Sequence, residues 1–319
     1  MKKRIALATA FALGLSGGAQ AASLAEAFSS FWVFGDSLSD DGNLPPAFQP
    51  PAPYNDGRFT DGLVWNEDIQ QEFRDAFKPT ENFALGGART SGDNPSGPIP
   101  GLDEQAAGFA GFAAATGVLA GTRDLASIWA GANNIFQAIT AGADAVSVAT
   151  AAANDVASSV RALAAAGIEE FLVFNIPDLS NTPAYAGTAA EALAGGSSLA
   201  FNRTLRDNLD GLASLGFSIR ITDAFGAFND IRADPAASGL SNVTDACIGL
   251  LASGGCDPSQ FLFWDDVHPT GTTHQLIEAE ARAALLGDPL PPVPLPAGFP
   301  LLAAGLGVLG FAARRKRAA

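Results

Sequence analysis

Histidine, cysteine and methionine are nearly missing from this chain of 319 residues, which holds two, two and one of them respectively. So little His and Cys excludes most zinc sites, every iron–sulfur cluster and any disulfide-dense scaffold. A histidine base, if chemistry needs one, must be His268 or His274. Positive charge is also scarce, with 18 Lys and Arg against 33 Asp and Glu and a formal net charge of −15. Without a basic stripe to neutralise phosphates, the chain is not a nucleic-acid binder. Charged residues make up only 16% and hydrophobic ones 48%, a balance that excludes intrinsic disorder as a description of the whole. No repeat of constant period, coiled coil or low-complexity linker is present.

The basic residues that do occur are concentrated at the ends. Lys2, Lys3 and Arg4 precede the apolar run Ile5 to Ser16 and the small-residue triplet Ala19-Gln20-Ala21, the pattern of a secretory signal over residues 1–21. At the other end, Leu290-Pro291-Pro292-Val293-Pro294-Leu295-Pro296 cannot be helix or central strand, because proline lacks the donor and fixes φ. An uncharged apolar run, Phe299 to Ala313, follows, and Arg314-Arg315-Lys316-Arg317 closes the chain. With Ala297 and Gly298 the run reaches the lower limit of a membrane span, and the cations would keep the end cytoplasmic. This tail resembles a PEP-CTERM sorting signal of the variant whose motif reads Val293 to Ala297. The resemblance implies recognition by an exosortase-like sorting peptidase and an envelope or extracellular destination, with transient anchoring by the C-terminal helix. Setting both ends aside leaves 11 basic and 33 acidic residues, so the body carries −22. The expected organisation is a signal at 1–21, one domain at 22–288 and a spacer, helix and sorting tail at 289–319.

Within the body, Ser29–Phe34, Leu125–Trp129, Phe171–Ile176 and Phe217–Thr222 are short apolar runs that each stop at a turn residue, as buried strands do. Helical patterns lie between them. The clearest is Asp144–Ala166, with Val148, Ala152, Val156, Val160 and Leu163 at spacings of three and four and Gly167 as the stop. Two more run from about Ala189 to Leu215 and from Thr272 to Leu286. Alternating strands and helices predict βαβ units and an α/β fold with a parallel sheet. Residues following the first and third runs, Gly35-Asp36-Ser37 and Gly131-Ala132-Asn133, should share the carboxyl edge of that sheet, where such folds bind ligands. Asn43–Asp61 and Thr90–Gly101 read as long loops able to shape a site.

His268 lies in Phe263-Trp264-Asp265-Asp266-Val267-His268-Pro269-Thr270. Asp265, three residues upstream, can accept from Nδ1–H, which fixes the tautomer and leaves Nε2 as a base. His274 lies inside the last helical pattern without such a neighbour and reads as structural. Ser37, in Phe34-Gly35-Asp36-Ser37-Leu38-Ser39-Asp40, directly follows a strand. A serine at such a strand-to-helix turn projects its Oγ from the sheet edge, and its own N–H, near a helix N-terminus, can face an oxyanion. Asp36, Asp40 and Asp41 read as turn or capping residues rather than a cation site. Gly14-Leu15-Ser16-Gly17-Gly18 matches the nucleophile-elbow pattern but falls in the signal segment and carries no chemistry. Cys247 and Cys256 could close a disulfide loop just before the His268 segment of an exported protein. Two glycosylation-like triplets, at Asn202 and Asn242, read as chance.

These segments together resemble the four blocks of the GDSL lipase/esterases of the SGNH-hydrolase superfamily, in family order. The first block supplies Ser37 as nucleophile. Asn82-Phe83-Ala84-Leu85-Gly86-Gly87-Ala88 resembles the second, whose glycine, here Gly87 or its neighbour Gly86, gives an N–H to the oxyanion hole. Gly131-Ala132-Asn133-Asn134 resembles the third, with Asn133 donating its amide to the same hole, although the family usually ends this block in Asp. Asp265 to Pro269 resembles the last, giving Asp265 and His268. Gly57-Arg58-Phe59-Thr60-Asp61-Gly62 with Trp65 resembles a segment of the longer secreted members.

The resemblance implies a flavodoxin-like three-layer α/β/α fold and a secreted serine hydrolase that cleaves carboxylic esters through an acyl-enzyme. The ester could belong to a lipid, a small molecule or an acylated polysaccharide. No metal or organic cofactor enters that chemistry. Two other readings stay open: an acyltransferase using the same triad, and a surface protein that binds carbohydrate without turnover.

Overall fold

The computed structural model describes residues 23–92, 94, 97–119 and 123–287. The signal-like segment and the sorting-like tail lie outside the described residues.

Five strands form the central sheet: β1 (Ser30–Gly35), β2 (Thr80–Asn82), β3 (Asp124–Trp129), β4 (Glu170–Phe174) and β5 (Ser218–Thr222). All pair in parallel, in the order β2-β1-β3-β4-β5, which is the flavodoxin-like order. The apolar runs are continuous rather than alternating because both faces of the sheet are covered. Every residue of β1, β3 and β4 is buried. In β1, Trp32 and Phe34 enter one core, while Phe31 and Val33 enter the other.

Eight α-helices accompany these strands among the described residues: α1 (Leu24–Ala27), α2 (Glu67–Asp75), α3 (Leu102–Thr116), α4 (Ala132–Thr140), α5 (Ala145–Ala165), α6 (Glu191–Ser214), α7 (Ala224–Ala233) and α8 (Gly271–Leu286). Apolar side chains of α3, α4, α5 and α6 fill the core on one face, and those of α1, α2, α7 and α8 fill the other. The result is an α/β/α sandwich. Helix α5 follows its sequence pattern closely. Asp144 caps it by accepting from the Ser147 N–H, and Ala149, Ala152, Ala153, Val156, Val160 and Leu163 form its buried stripe. A second, two-stranded sheet joins β6 (Asn242–Ala246) to β7 (Phe261–Phe263). No helix among the described residues is long and apolar enough to cross a membrane.

Register is what positions the site. Gly35 of β1 lies opposite Trp129 of β3, so the chain leaves both strands at the same level of the carboxyl edge. Beyond β2 the backbone keeps pairing, with Phe83 N–H donating to Val33 O and Leu85 N–H to Gly35 O. That carries Gly86 and Gly87 to the same edge.

Candidate active site

After Gly35 the chain makes one tight turn. Ser39 and Asp40 N–H donate to Asp36 O at 3.0 and 3.1 Å, and Asp36 Oδ1 accepts from Leu38 N–H at 3.1 Å. The sequence placed Ser37 on a strand-to-helix turn. The structure corrects this, because the next helix, α2, begins only at Glu67 and Ser37 sits on an isolated turn. Ser37 N–H nevertheless makes no hydrogen bond within the described residues. Burial of the Asp36 carboxyl beside this serine pushes it up to about 7.

The second component comes from the chain between β7 and α8. Trp264 N–H donates to His268 O at 2.8 Å and Phe263 bridges Pro269, closing a short loop. Thr270 then starts α8 by accepting from Thr273 N–H. Inside the loop Asp265 Oδ1 accepts from the N–H groups of Val267 and His268 at 2.9 and 2.7 Å. Its Oδ2 lies 2.7 Å from His268 Nδ1, and His268 Nε2 lies 2.8 Å from Ser37 Oγ. A carboxylate on Nδ1 sets that nitrogen as the donor and leaves Nε2 to accept from the serine hydroxyl. Burial pushes the Asp265 carboxyl up, but the His268 ring and the two loop amides outweigh it and hold it below the usual carboxylate range. His274, by contrast, is buried in α8 with Nδ1 unpartnered. Burial, aided by the charge of His268, pushes its imidazole down to about 3, so it stays neutral.

The glycine and asparagine blocks meet beside Ser37. Asp40, buried at the end of the Ser37 turn, accepts from Gly42 and Asn43 N–H through Oδ1 and from Gly86 N–H through Oδ2 at 2.6 Å. Burial raises the Asp40 carboxyl despite those amides. Gly86 N–H is thereby occupied, whereas Gly87 N–H has no partner within the described residues. Gly87 has φ +77°, a conformation that a Cβ disfavours. Gly86 is excluded from substitution for another reason, since a Cβ there would lie 2.0 Å from the Phe59 ring. Asn133, in the first turn of α4, donates through Nδ2 to Ala88 O at 3.0 Å, which leaves its second amide hydrogen for a ligand. Asn134, where the family pattern has Asp, accepts from Thr90 N–H and donates to Thr90 Oγ1, both at 3.0 Å. An amide serves that bridge well because it both accepts and donates.

A narrow, mostly apolar slot runs from Ser37 and His268 along Leu38, Ala132, Phe136, Leu179 and Phe228. On the far side of His268 the loop before α2 packs in. The Phe59 ring centroid is 5.2 Å from that of His268, and Tyr54 Oη donates to Asp265 Oδ2 at 2.8 Å. Tyr54 was missed at the sequence level, because it lies 211 residues from its partner in a proline-rich loop with no spacing signal. Cys247 and Cys256 form a disulfide, and Cys247 packs with Phe261 and Trp264, under the strand that leads into the His268 loop.

The profile of the family described as GDSL-like lipase/acylhydrolase matches residues 32–280. The chain is 26% identical over 266 residues to the thermolabile hemolysin of Vibrio parahaemolyticus, covering 77% of this chain and 61% of that protein. It thus spans about three fifths of that relative's length. It is also 26% identical over 317 residues to the phosphatidylcholine-sterol acyltransferase of Aeromonas hydrophila, covering 82% and 91% of the two chains. Among solved structures, a catalytic mutant of Axe2, an acetylxylan esterase from Geobacillus stearothermophilus, is similar over 82% of this chain and 96% of that one, with 12% identity and a TM-score of 0.47.

Proposed function

Since the chain belongs to the GDSL-like lipase/acylhydrolase family, we propose that it is a serine esterase whose nucleophile is Ser37, whose base is His268 and whose orienting carboxylate is Asp265. The observation that carries this reading is the unbroken chain from Ser37 Oγ through both nitrogens of His268 to Asp265 Oδ2, at 2.8 and 2.7 Å. His268 takes the Ser37 proton as Oγ attacks the ester carbonyl, and an acyl-enzyme forms as the alcohol leaves with that proton. Water, activated by the same nitrogen, then releases the acid. The N–H groups of Ser37 and Gly87 and the free Asn133 amide hydrogen face the charge that develops on the carbonyl oxygen.

We place the acyl group beside Leu38, Ala132, Phe136 and Leu179, which share one slot with Ser37 and His268. A second reading, transfer of the acyl group to an alcohol instead of water, is favoured by the likeness to an acyltransferase over most of both chains. A binder without turnover would have no use for the aligned Ser37, His268 and Asp265. The basic, apolar and small-residue order of residues 1–21 supports export. The Val293–Ala297 motif, apolar run and Arg-rich end support recognition by an exosortase-like peptidase, with the esterase body occupying residues 22–288.

The test is turnover of p-nitrophenyl esters of increasing chain length, with and without a competing alcohol, by the protein and its Ser37→Ala and His268→Ala variants. Turnover by the unsubstituted protein alone is expected. Equal turnover by all three would overturn the triad, and ester product formed with the alcohol would favour transfer. For the tail, Pro296→Ala should change the destination of the protein, and unchanged localisation would remove the sorting proposal.

A further inference from the structure

The Asp265 carboxylate has more partners than a three-residue relay requires. Oδ1 takes the N–H groups of Val267 and His268. Oδ2 takes His268 Nδ1 and, from a different part of the chain, the Tyr54 hydroxyl at 2.8 Å. Four donors fill the acceptor capacity of a carboxylate. Three of them belong to the His268 loop itself, and among the described residues only Tyr54 ties that carboxylate to the rest of the molecule.

Apart from Trp264, which closes the His268 loop, the contacts that place the Tyr54 hydroxyl lie outside that loop. Its ring meets Phe59 and Trp264 edge-on at centroid distances of 6.4 and 6.1 Å. Its segment is held by Asn55 N–H on Thr60 O, by the Arg58–Glu67 ion pair with two contacts of 2.7 Å, and by Asp61 Oδ1 on Gly271 N–H. Burial and the neighbouring Asp265 charge raise the Tyr54 hydroxyl well above its ordinary range, so it remains a donor throughout the working pH range.

We propose that Tyr54 is a positioning residue of this site: its hydroxyl holds Asp265 Oδ2 in the orientation that serves His268 and, by sharing that oxygen's charge, sets the pH at which His268 becomes available as a base. The proposal rests on the serine-esterase reading above. Without the hydroxyl, Oδ2 turns its full charge on the imidazole, which favours the protonated ring at rest and removes free base at low pH. The other titratable groups facing this pair are Asp36 from the turn after β1, Asp266 within the loop and His274 from α8. All three are retained when Tyr54 is changed.

The experiment is the pH profile of kcat/KM on p-nitrophenyl butyrate for the full chain, Tyr54→Phe and Ser37→Ala. Tyr54→Phe keeps the ring contacts with Phe59 and Trp264 and removes only the hydroxyl. Its acid limb should move upward by about half a pH unit, with a several-fold loss of kcat and little change in KM. An acid limb that superimposes on that of the unsubstituted protein overturns the proposal, whatever happens to kcat. Ser37→Ala separates the two failures. If it still turns over the ester, the serine-esterase reading falls and this inference with it; if it is inactive while the Tyr54→Phe limb is unshifted, only the inference falls.

Discussion

Asp40 Oδ2 accepts the Gly86 amide at 2.6 Å, and this bond ties the turn that carries Ser37 to the glycine pair beside it. It occupies one amide of the pair and leaves that of Gly87 free. Because the same carboxylate also takes Gly42 and Asn43 N–H, an amide in its place would point an NH2 group at a donor. Asp40→Asn should therefore lose roughly 1–3 kcal/mol of stability and lower kcat more than it raises KM. Thermal melts and steady-state kinetics check this, and a variant equal to the parent in both would remove Asp40 from the account.

Asn133 is placed by its bond to Ala88 O, which leaves one amide hydrogen for the oxyanion role proposed above. Asn133→Ala should reduce kcat about 10²–10³-fold, the cost of one oxyanion donor, while shifting the melting temperature little. A loss of activity matched by a loss of fold would assign Asn133 to packing instead.

Two buried groups tilt stability with pH in opposite directions. Asp36 is raised by burial to about 7 from 3.8, so the folded state holds a proton that the unfolded chain has released. Its contribution falls as pH rises through that window. His274 is lowered by burial to about 3 from 6.5. The unfolded chain binds the proton first, and stability is lost as pH falls below 6.5 towards 3. Denaturant midpoints measured across pH should therefore decline less on the acid side for His274→Leu and less between acid and neutral pH for Asp36→Asn. Parallel curves for parent and variants would contradict these assignments.

Phe136 forms part of the slot wall and stacks on Tyr185 at 5.8 Å. If the slot holds the acyl chain, Phe136→Ala removes about 1.5 kcal/mol of contact from long chains and none from acetyl. The ratio of kcat/KM for octanoyl over acetyl esters should fall roughly tenfold. An unchanged ratio would place the acyl chain elsewhere.

Much of this was legible in the sequence where local pattern suffices. The four central strands named there and the three long helices stand close to their expected bounds because continuous apolar runs and a three-four stripe each have one stable burial. Helix α3 was not read, since Leu102–Thr116 is so rich in Ala, Gly and Phe that no face stands out. Strand β6 was not read either, because Asn242–Ala246 has no buried residue and lacks alternation. Asp265 was readable at three residues from His268, whereas Tyr54 reaches the same oxygen across the whole fold. Asp40 was visible as a turn residue, but its hold on Gly86 depends on β1 and β2 being neighbours, which composition does not encode.

The most direct measurement of the central claim is intact-protein and peptide mass spectrometry after brief exposure to a slowly deacylating ester. One acyl group per chain is expected, carried on the peptide containing Ser37, and none on Ser37→Ala. Hydrolysis that proceeds without any adduct on Ser37, or an adduct that persists in Ser37→Ala, would contradict it.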